Sequence, residues 1–346
     1  MEEYLNLGEI EAALDEFSTV GAFSFLETVQ ALMTGQIPFT PEAIGNLLKN
    51  LFLGEIQQQK TMAFSIFLIV FAAAVFASFV KVFEKSQIAD ISFYMMYLLI
   101  AALLVKSFRS MNLLVQNTCL DLNGFMNVLL PSYLITIVLS SGTVSAVGFY
   151  ELTVAAINLV QIFLVKLILP AIHFYLILLL LNQMGKEDYF SAMAELVELI
   201  IGWILKSILG LILGLQAVQC LVAPSVDALK NSAMHRLTRL VPGVGSALDA
   251  AAETVAGSAV VIKNAVGIAG MAALVLICMI PLVKLAVCIL IFRLLCAVIQ
   301  PFCEKRMVEG ISSISRGTVL LLRVQMTALA VFLISLAMIT AAVKGG

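Results

Sequence analysis

Charged side chains are scarce in this sequence: Asp, Glu, Lys and Arg make up 12% of its 346 residues. That is too little polar surface to cover a water-soluble globule of this length. Histidine is rarer still, with two copies, and tryptophan occurs once. His173 and His235 are too isolated to hold a metal, and His173, near a proline in an apolar run, reads as a packed core histidine. Trp203, near the start of an apolar run, reads as a marker of the membrane interface. The six cysteines (Cys119, Cys220, Cys278, Cys288, Cys296, Cys303) contain no CxxC pair. At least four lie in or beside apolar runs and read as small packing residues, with metal or disulfide roles the lesser reading. Catalytic signatures are missing as well: no GxxxxGK[ST], no HExxH and no GxSxG. No catalytic residue, cofactor or metal ligand is assigned, and an enzyme is not expected. The opening MEEYLNLGEI has no basic stretch leading into an apolar one, so no secretory signal is visible.

What is present is apolar: 62% of the residues are hydrophobic and the mean hydropathy is +1.07. Such a surface must face lipid, where each crossing segment satisfies its own backbone hydrogen bonds. Strand-length alternation of the barrel kind does not appear. The expected fold is therefore all-α, a polytopic integral membrane protein of about eight transmembrane helices with a short helical N-terminal region.

Residues 1–59 carry nine acidic side chains against one basic, Lys49. They are expected to be an acidic, helical, water-facing region that binds neither nucleic acid nor an anionic lipid surface. Ile10, Leu14 and Phe17 share a helical face, Ser24 and Glu27 have capping-box spacing, and Thr40-Pro41 is an N-cap followed by proline. The stripe Ile44, Leu47, Leu48, Leu51 and Phe52 follows.

Residues 60–346 form the membrane domain, with spans expected near 61–80, 91–105, 123–147, 149–183, 199–223, 265–283, 285–300 and 318–342. The 149–183 run would be about 52 Å long as a helix against a hydrocarbon core of about 30 Å, so tilt, a break at Pro170 or a tail outside must absorb the excess. The 265–300 run is divided near Pro281 and Lys284. With eight spans, Lys81, Lys85, Lys230, Arg236, Arg239, Lys263, Lys305, Arg306 and Arg316 fall on one side and Lys106, Arg109, Lys186 and Lys344 on the other. The positive-inside rule then puts both termini outside, although Lys106 and Arg109 oppose this locally.

Ionisable residues inside the spans are the informative ones, because a charge at mid-bilayer costs at least ~2.5 kcal/mol unless paired or hydrated. Glu151, Lys166, Lys206, Lys284, Arg293 and Arg323 qualify. Snorkelling to the interface explains them blandly; a wet cavity or a partner helix explains them functionally. Gly202, Lys206, Gly210 and Gly214 recur every four residues and form one helical stripe, expected to face protein, with Glu151, Glu195 or Glu198 as possible partners for the lysine.

The segment PGVGSALDAAAETVAGSAVVIKNAVGIAG, residues 242–270, is rich in Gly, Ala and Ser, with Asp249, Glu253 and Lys263 embedded. Small residues there, Gly245 and Gly257 among them, are expected to let this block pack closely on other spans or a partner. An ordinary connecting loop is the plainer alternative. With the following PLVKLAVCILIFRLLCAVIQP, the block resembles the signature region of the stage III sporulation protein AE family of endospore-forming Firmicutes. The resemblance extends over nearly the whole chain in order and layout. Members commonly begin with a signal-like apolar segment, which this sequence lacks.

The resemblance implies an integral component of the sporulation channel, or feeding-tube, complex that links mother cell and forespore. That complex supports forespore integrity and late gene expression. The implied partners are the other stage III sporulation A proteins, including an export-type ATPase and ring-forming proteins, the forespore membrane protein facing them, and membrane lipid. The implied location is the mother-cell membrane surrounding the forespore. A stand-alone secondary transporter, with a mid-membrane site at helices broken near Pro170 and Pro281, or a non-conducting scaffold are the rival readings.

Overall fold

The fold is described by a computed structural model, covering residues 7–16, 24–35, 86–141, 145–185, 187–238, 245–301 and 303–342 and isolated positions between 49 and 75. All regular structure among the described residues is helical. The helices are α1 (Leu7–Glu16), α2 (Phe25–Met33), α3 (Ser86–Ser141), α4 (Ser145–Phe163), α5 (Leu169–Met184), α6 (Ser191–Thr238), α7 (Gly245–Ile299) and α8 (Lys305–Ala342). A π turn, Leu164–Ile168, joins α4 to α5 without interrupting the rod.

Five helical stretches among the described residues are long and apolar enough to cross a membrane: Phe93–Ile135, Tyr150–Met184, Ser191–Gln219, Val260–Ile299 and Lys305–Thr340. The expected count of about eight is not confirmed, and two pairs of expected spans merge for physical reasons. The expected spans 91–105 and 123–147 belong to one helix, α3. The segment between them, from Lys106 to Asn123, contains neither Gly nor Pro, and Leu104, Phe108, Val115, Cys119 and Leu122 keep a buried face in helical register through it. Similarly, 265–283 and 285–300 are one helix, α7, with Pro281 inside it. The sequence around Pro281 has no Gly, Asn, Asp or Ser from which a tight reversal could be built. The expected 61–80 span, the Thr40-Pro41 cap and the 44–52 stripe fall outside the described residues or nearly so.

Merging these spans removes the basis of the orientation argument. Lys106 and Arg109 now sit within a helix. With 61–80 retained as a crossing, Lys49, Lys60, Lys230, Arg236, Arg239 and Lys344 oppose Lys81, Lys85, Lys186, Lys305 and Arg306. Six against five selects neither orientation.

The N-terminal helices lie on the bundle. Ser24 Oγ accepts from the Glu27 N–H at 3.2 Å, as its spacing predicted, and Glu11 of α1 accepts from the Leu26 N–H at 2.9 Å. Two of the free N–H groups that every helix start leaves behind are thereby satisfied. Ile10, Leu14, Phe25 and Val29 are buried in the same core as the spans, and the Phe25 ring meets Phe125 of α3 edge-on at 6.5 Å.

At the centre stands α8, which packs on α3, α5, α6 and α7. Its closest approaches use glycine. A Cβ on Gly317 would stand 2.9 Å from Phe108 Cε2, and one on Gly270 of α7 would stand 2.8 Å from Leu129 and 3.0 Å from Leu336. Gly257, by contrast, has nothing within 4 Å. Gly317→Leu is therefore expected to lower stability in detergent by about 1–3 kcal/mol through overpacking, whereas Gly257→Leu leaves the isolated chain's melting temperature at the wild-type value. Fluorescence-detected thermal melting of the two purified variants compares them directly.

Candidate functional site

The in-span charges follow the fold unevenly. Of the 20 Lys and Arg, 11 lie in the five apolar stretches, against 5 of the 22 Asp and Glu. The membrane-crossing part is therefore cationic, although the chain as a whole is acidic.

The candidate positions scatter over this scaffold. Lys263 is buried at 1% exposure on α7. Lys284 is half-buried and Arg293 exposed on the same helix. Gly245 begins α7, while the side chains of Asp249 and Glu253 lie outside the described residues; the close packing expected of the 242–270 block is seen at its end, at Gly267 and Gly270. On α6, Lys206, Gly210 and Gly214 are exposed and Gly202 half-exposed, and a Cβ at any of the three glycines would meet nothing within 4 Å. No described element of this chain packs on that stripe. Glu198, a possible partner of Lys206, is taken by Tyr175, whose hydroxyl donates to it at 2.7 Å.

A groove opens between the two helical rods that carry Lys166 and Lys206, and neither lysine lines it. The groove, of about 530 Å³, runs between α4 and α6, lined by Leu159, Val160 and Phe163 on one wall and by Leu199, Trp203, Ser207 and Leu211, among others, on the opposite wall. Ser207 is its sole polar lining residue. Two hydrogen bonds fix the register of the walls: Thr153 Oγ1 donates to Gln219 Oε1 at 3.3 Å, and Tyr175 bonds Glu198. Thirteen residues along each helix from the Thr153–Gln219 contact stand Lys166 and Lys206, level with each other. Both are exposed, and neither has a hydrogen-bond or ion-pair partner among the described residues.

The geometry beneath Lys166 has a local cause. Pro170 has no N–H to give the carbonyl four residues back, and the preceding turn widens so that the Leu169 N–H reaches Leu164 O. The expected break at Pro170 is thus a π turn in a continuous rod.

The bundle interior holds polar pairs that sequence reasoning did not single out. Asn123 donates to Asn158 at 3.0 Å, Tyr133 to Thr340 Oγ1 at 2.7 Å, and Gln325 to Cys278 Sγ at 3.2 Å. Each joins residues at least 35 positions apart, and only their polarity within apolar runs marked them. His173 is packed beside Phe108, with ring centroids 6.0 Å apart, as a core histidine would be. No group of three or more His, Cys, Asp or Glu suited to a metal occurs among the described residues.

Comparison with known proteins decides what kind of chain this is. The model of the family described as Stage III sporulation protein AE matches residues 23–343. The chain belongs to that family. The Stage III sporulation protein AE of Bacillus subtilis (strain 168) is 22% identical over 316 residues, which cover 91% of this chain and 79% of that protein. No solved structure matches. The family match takes in α2 through α8, so the groove, the glycine contacts and both level lysines lie inside it. The chain is accordingly a sporulation membrane protein of the AE family, with multi-pass character given by its apolar helices.

Between α7 and α8, outside the apolar stretches, burial pushes the Cys303 thiol up to about 11 from an ordinary 9.0. The thiolate is the reactive form, so Cys303 is expected to react with maleimide ever faster, about tenfold per pH unit, from pH 8 to 10. A solvent-exposed thiol levels off above its pKa near 9. Site-resolved mass spectrometry of the intact protein reads the profile, and a plateau at Cys303 by pH 9.5 contradicts the burial.

Proposed function

We propose that this chain is an integral membrane component of the sporulation channel complex, the feeding-tube assembly linking mother cell and forespore. The observation that carries the reading is the family match over residues 23–343 on a chain with five apolar, membrane-length helices. In this reading the chain resides in the mother-cell membrane around the forespore and works with the other stage III sporulation A proteins. Those include the export-type ATPase and the ring-forming proteins, with the forespore membrane protein opposite. Its contribution is to forespore development and late gene expression.

The outward-facing in-span charges support membership in an assembly. An unpaired lysine against lipid is costly, and a neighbouring protein removes the cost. The transporter reading has less support than it had from the sequence: it drew on helices broken near Pro170 and Pro281, and the rods continue through both. An inert scaffold differs from a channel part in what the complex does without the chain's charged surface, which is a matter for mutation.

In sporulating cells lacking the chain, spore yield is expected to collapse and to return with the wild-type gene. A tagged chain is expected to co-purify with the export-type ATPase, and the purified chain alone in liposomes is expected to move no solute. Normal sporulation without the chain, or transport by the chain on its own, overturns the reading.

A further inference from the structure

We propose that α3, α4, α6 and α8 enclose a cluster of internal water, bound in a polar layer at the level of Asn158, Gln216 and Ser335. The proposal is independent of the assembly reading above.

The layer follows from helix register. Toward the opposite end of the bundle, the Tyr175–Glu198 hydrogen bond sets α5 against α6, and Gly317 of α8 lies against Leu176 of α5 and Phe108 of α3. Asn158 stands eighteen residues before Leu176, Gln216 eighteen after Glu198 and Ser335 eighteen after Gly317. Eighteen residues make five full turns, about 27 Å, so Gln216 and Ser335 keep the faces that Glu198 and Gly317 turn toward the rod of α4 and α5. Two hydrogen bonds confirm the register at this end: Asn123 of α3 donates to Asn158 at 3.0 Å, and Thr153 of α4 donates to Gln219 of α6 at 3.3 Å. Six polar side chains from four helices thus share a slab about two turns thick.

Their polar atoms outnumber their hydrogen bonds. Gln216 is 1%, Gln219 5% and Ser335 0% exposed. Gln216 Nε2, Gln219 Nε2, Ser335 Oγ and Asn123 Oδ1 are buried with no hydrogen-bond partner among the described residues. Turning the Gln219 amide over would bare its carbonyl in place of its NH2 group, so reorientation does not cure the deficit.

The chemistry of the set selects the occupant. A cation asks for acceptors alone and an anion for donors alone, whereas two amide NH2 groups, one carbonyl and one hydroxyl call for a ligand that donates and accepts at once. The layer is also neutral: no Asp, Glu, Lys or Arg occurs at 152–165 of α4, 207–219 of α6 or 324–342 of α8. Asp121 stands two residues from Asn123, on the opposite side of α3. Water meets both conditions and bridges helices where direct bonds fall short. It thereby fastens the second half of α6, whose buried face turns from Ile201, Leu205 and Ile212 to Gln216 and Gln219.

Water-edited magic-angle-spinning NMR of the intact, isotope-labelled chain in lipid bilayers reads the layer directly. Magnetisation is expected to pass from water to the Gln216 and Gln219 side-chain amides about threefold faster, or more, than to the backbone amides of Ala269 and Ala273, which are as deeply buried on α7. Transfer no faster than at those alanines, or transfer that originates in lipid protons and not in water, overturns the proposal. Gln216→Leu with Ser335→Ala removes two walls of the layer and is expected to slow transfer to the Gln219 amide by about half or more, while transfer to the exposed Tyr189 stays at its wild-type rate. Undiminished transfer at Gln219 in the folded double variant overturns the proposal as well; should that variant fail to fold, the wild-type comparison decides alone.

Discussion

Hydrocarbon offers no hydrogen-bond partner, so a backbone group released inside a membrane has to be satisfied by the protein itself. Much of this structure follows from that constraint. It keeps α3 and α7 continuous over 56 and 55 residues through Pro131 and Pro281. It turns the proline at 170 into a π turn whose Leu169 N–H still finds Leu164 O. At about 84 Å, α3 is far longer than a core of about 30 Å, so its ends project beyond the bilayer or the rod is strongly tilted. The same constraint governs side chains: the Tyr97 hydroxyl, buried among α3, α5 and α8, donates to the Leu180 carbonyl at 2.7 Å.

Once rods are obligatory, association depends on how closely they approach. Apolar side chains gain nothing by leaving lipid for each other, so packing and interhelical hydrogen bonds have to hold the bundle. Here several close approaches pair a glycine on α7 or α8 with a side chain of α3: Gly270 with Leu129, Gly310 with Tyr97, Gly317 with Phe108; Gly267 of α7 comes as close to Thr340 of α8. Buried polar groups are scattered through the otherwise apolar interior. Asn112, Asn123, His173, Gln216, Gln219, Ser315, Gln325 and Ser335 each keep one buried polar atom without a protein partner. Groups of that kind cost about 1–3 kcal/mol each when left bare, and ordered internal water is the usual remedy.

Much of this was legible in the residues, and the misses have identifiable causes. The Ser24 cap and the burial of Ile10 and Leu14 followed from spacing alone, because capping and helical periodicity are local. The apolar stretches followed from hydropathy. The division of α3 failed because hydropathy was weighed above periodicity: Lys106, Arg109 and Asp121 read as a loop, although Val115, Cys119 and Leu122 kept a helical stripe through them. Glycine roles were harder to read. Gly202, Gly210 and Gly214 have the better pattern yet face outward, whereas Gly310 and Gly317 have no pattern and do the close packing. A glycine's role depends on the residue opposite, here Tyr97 and Phe108 more than 200 positions away in the chain. The level placement of Lys166 and Lys206 was hidden for the same reason, since it needs the register between two helices.

The charge distribution then bears on how the chain persists in its membrane. Eleven cations against five anions leave the apolar stretches with a positive excess. Glu198 is already engaged by Tyr175, and Glu309 by Lys305 at 3.6 Å. The excess is also unevenly displayed. The window of α8 that is best suited to span is 56% buried, whereas that of α6, which carries Lys206 and the open stripe, is only 17% buried. The best-packed helix holds the chain together, and the least-packed one presents its unmet charge outward. Any partner that meets that charge binds the folded bundle and not its unfolded form, so it stabilises the chain by mass action as well as completing an assembly. Were the chain to join an assembly through α6, its folding and the formation of that assembly would be thermodynamically linked.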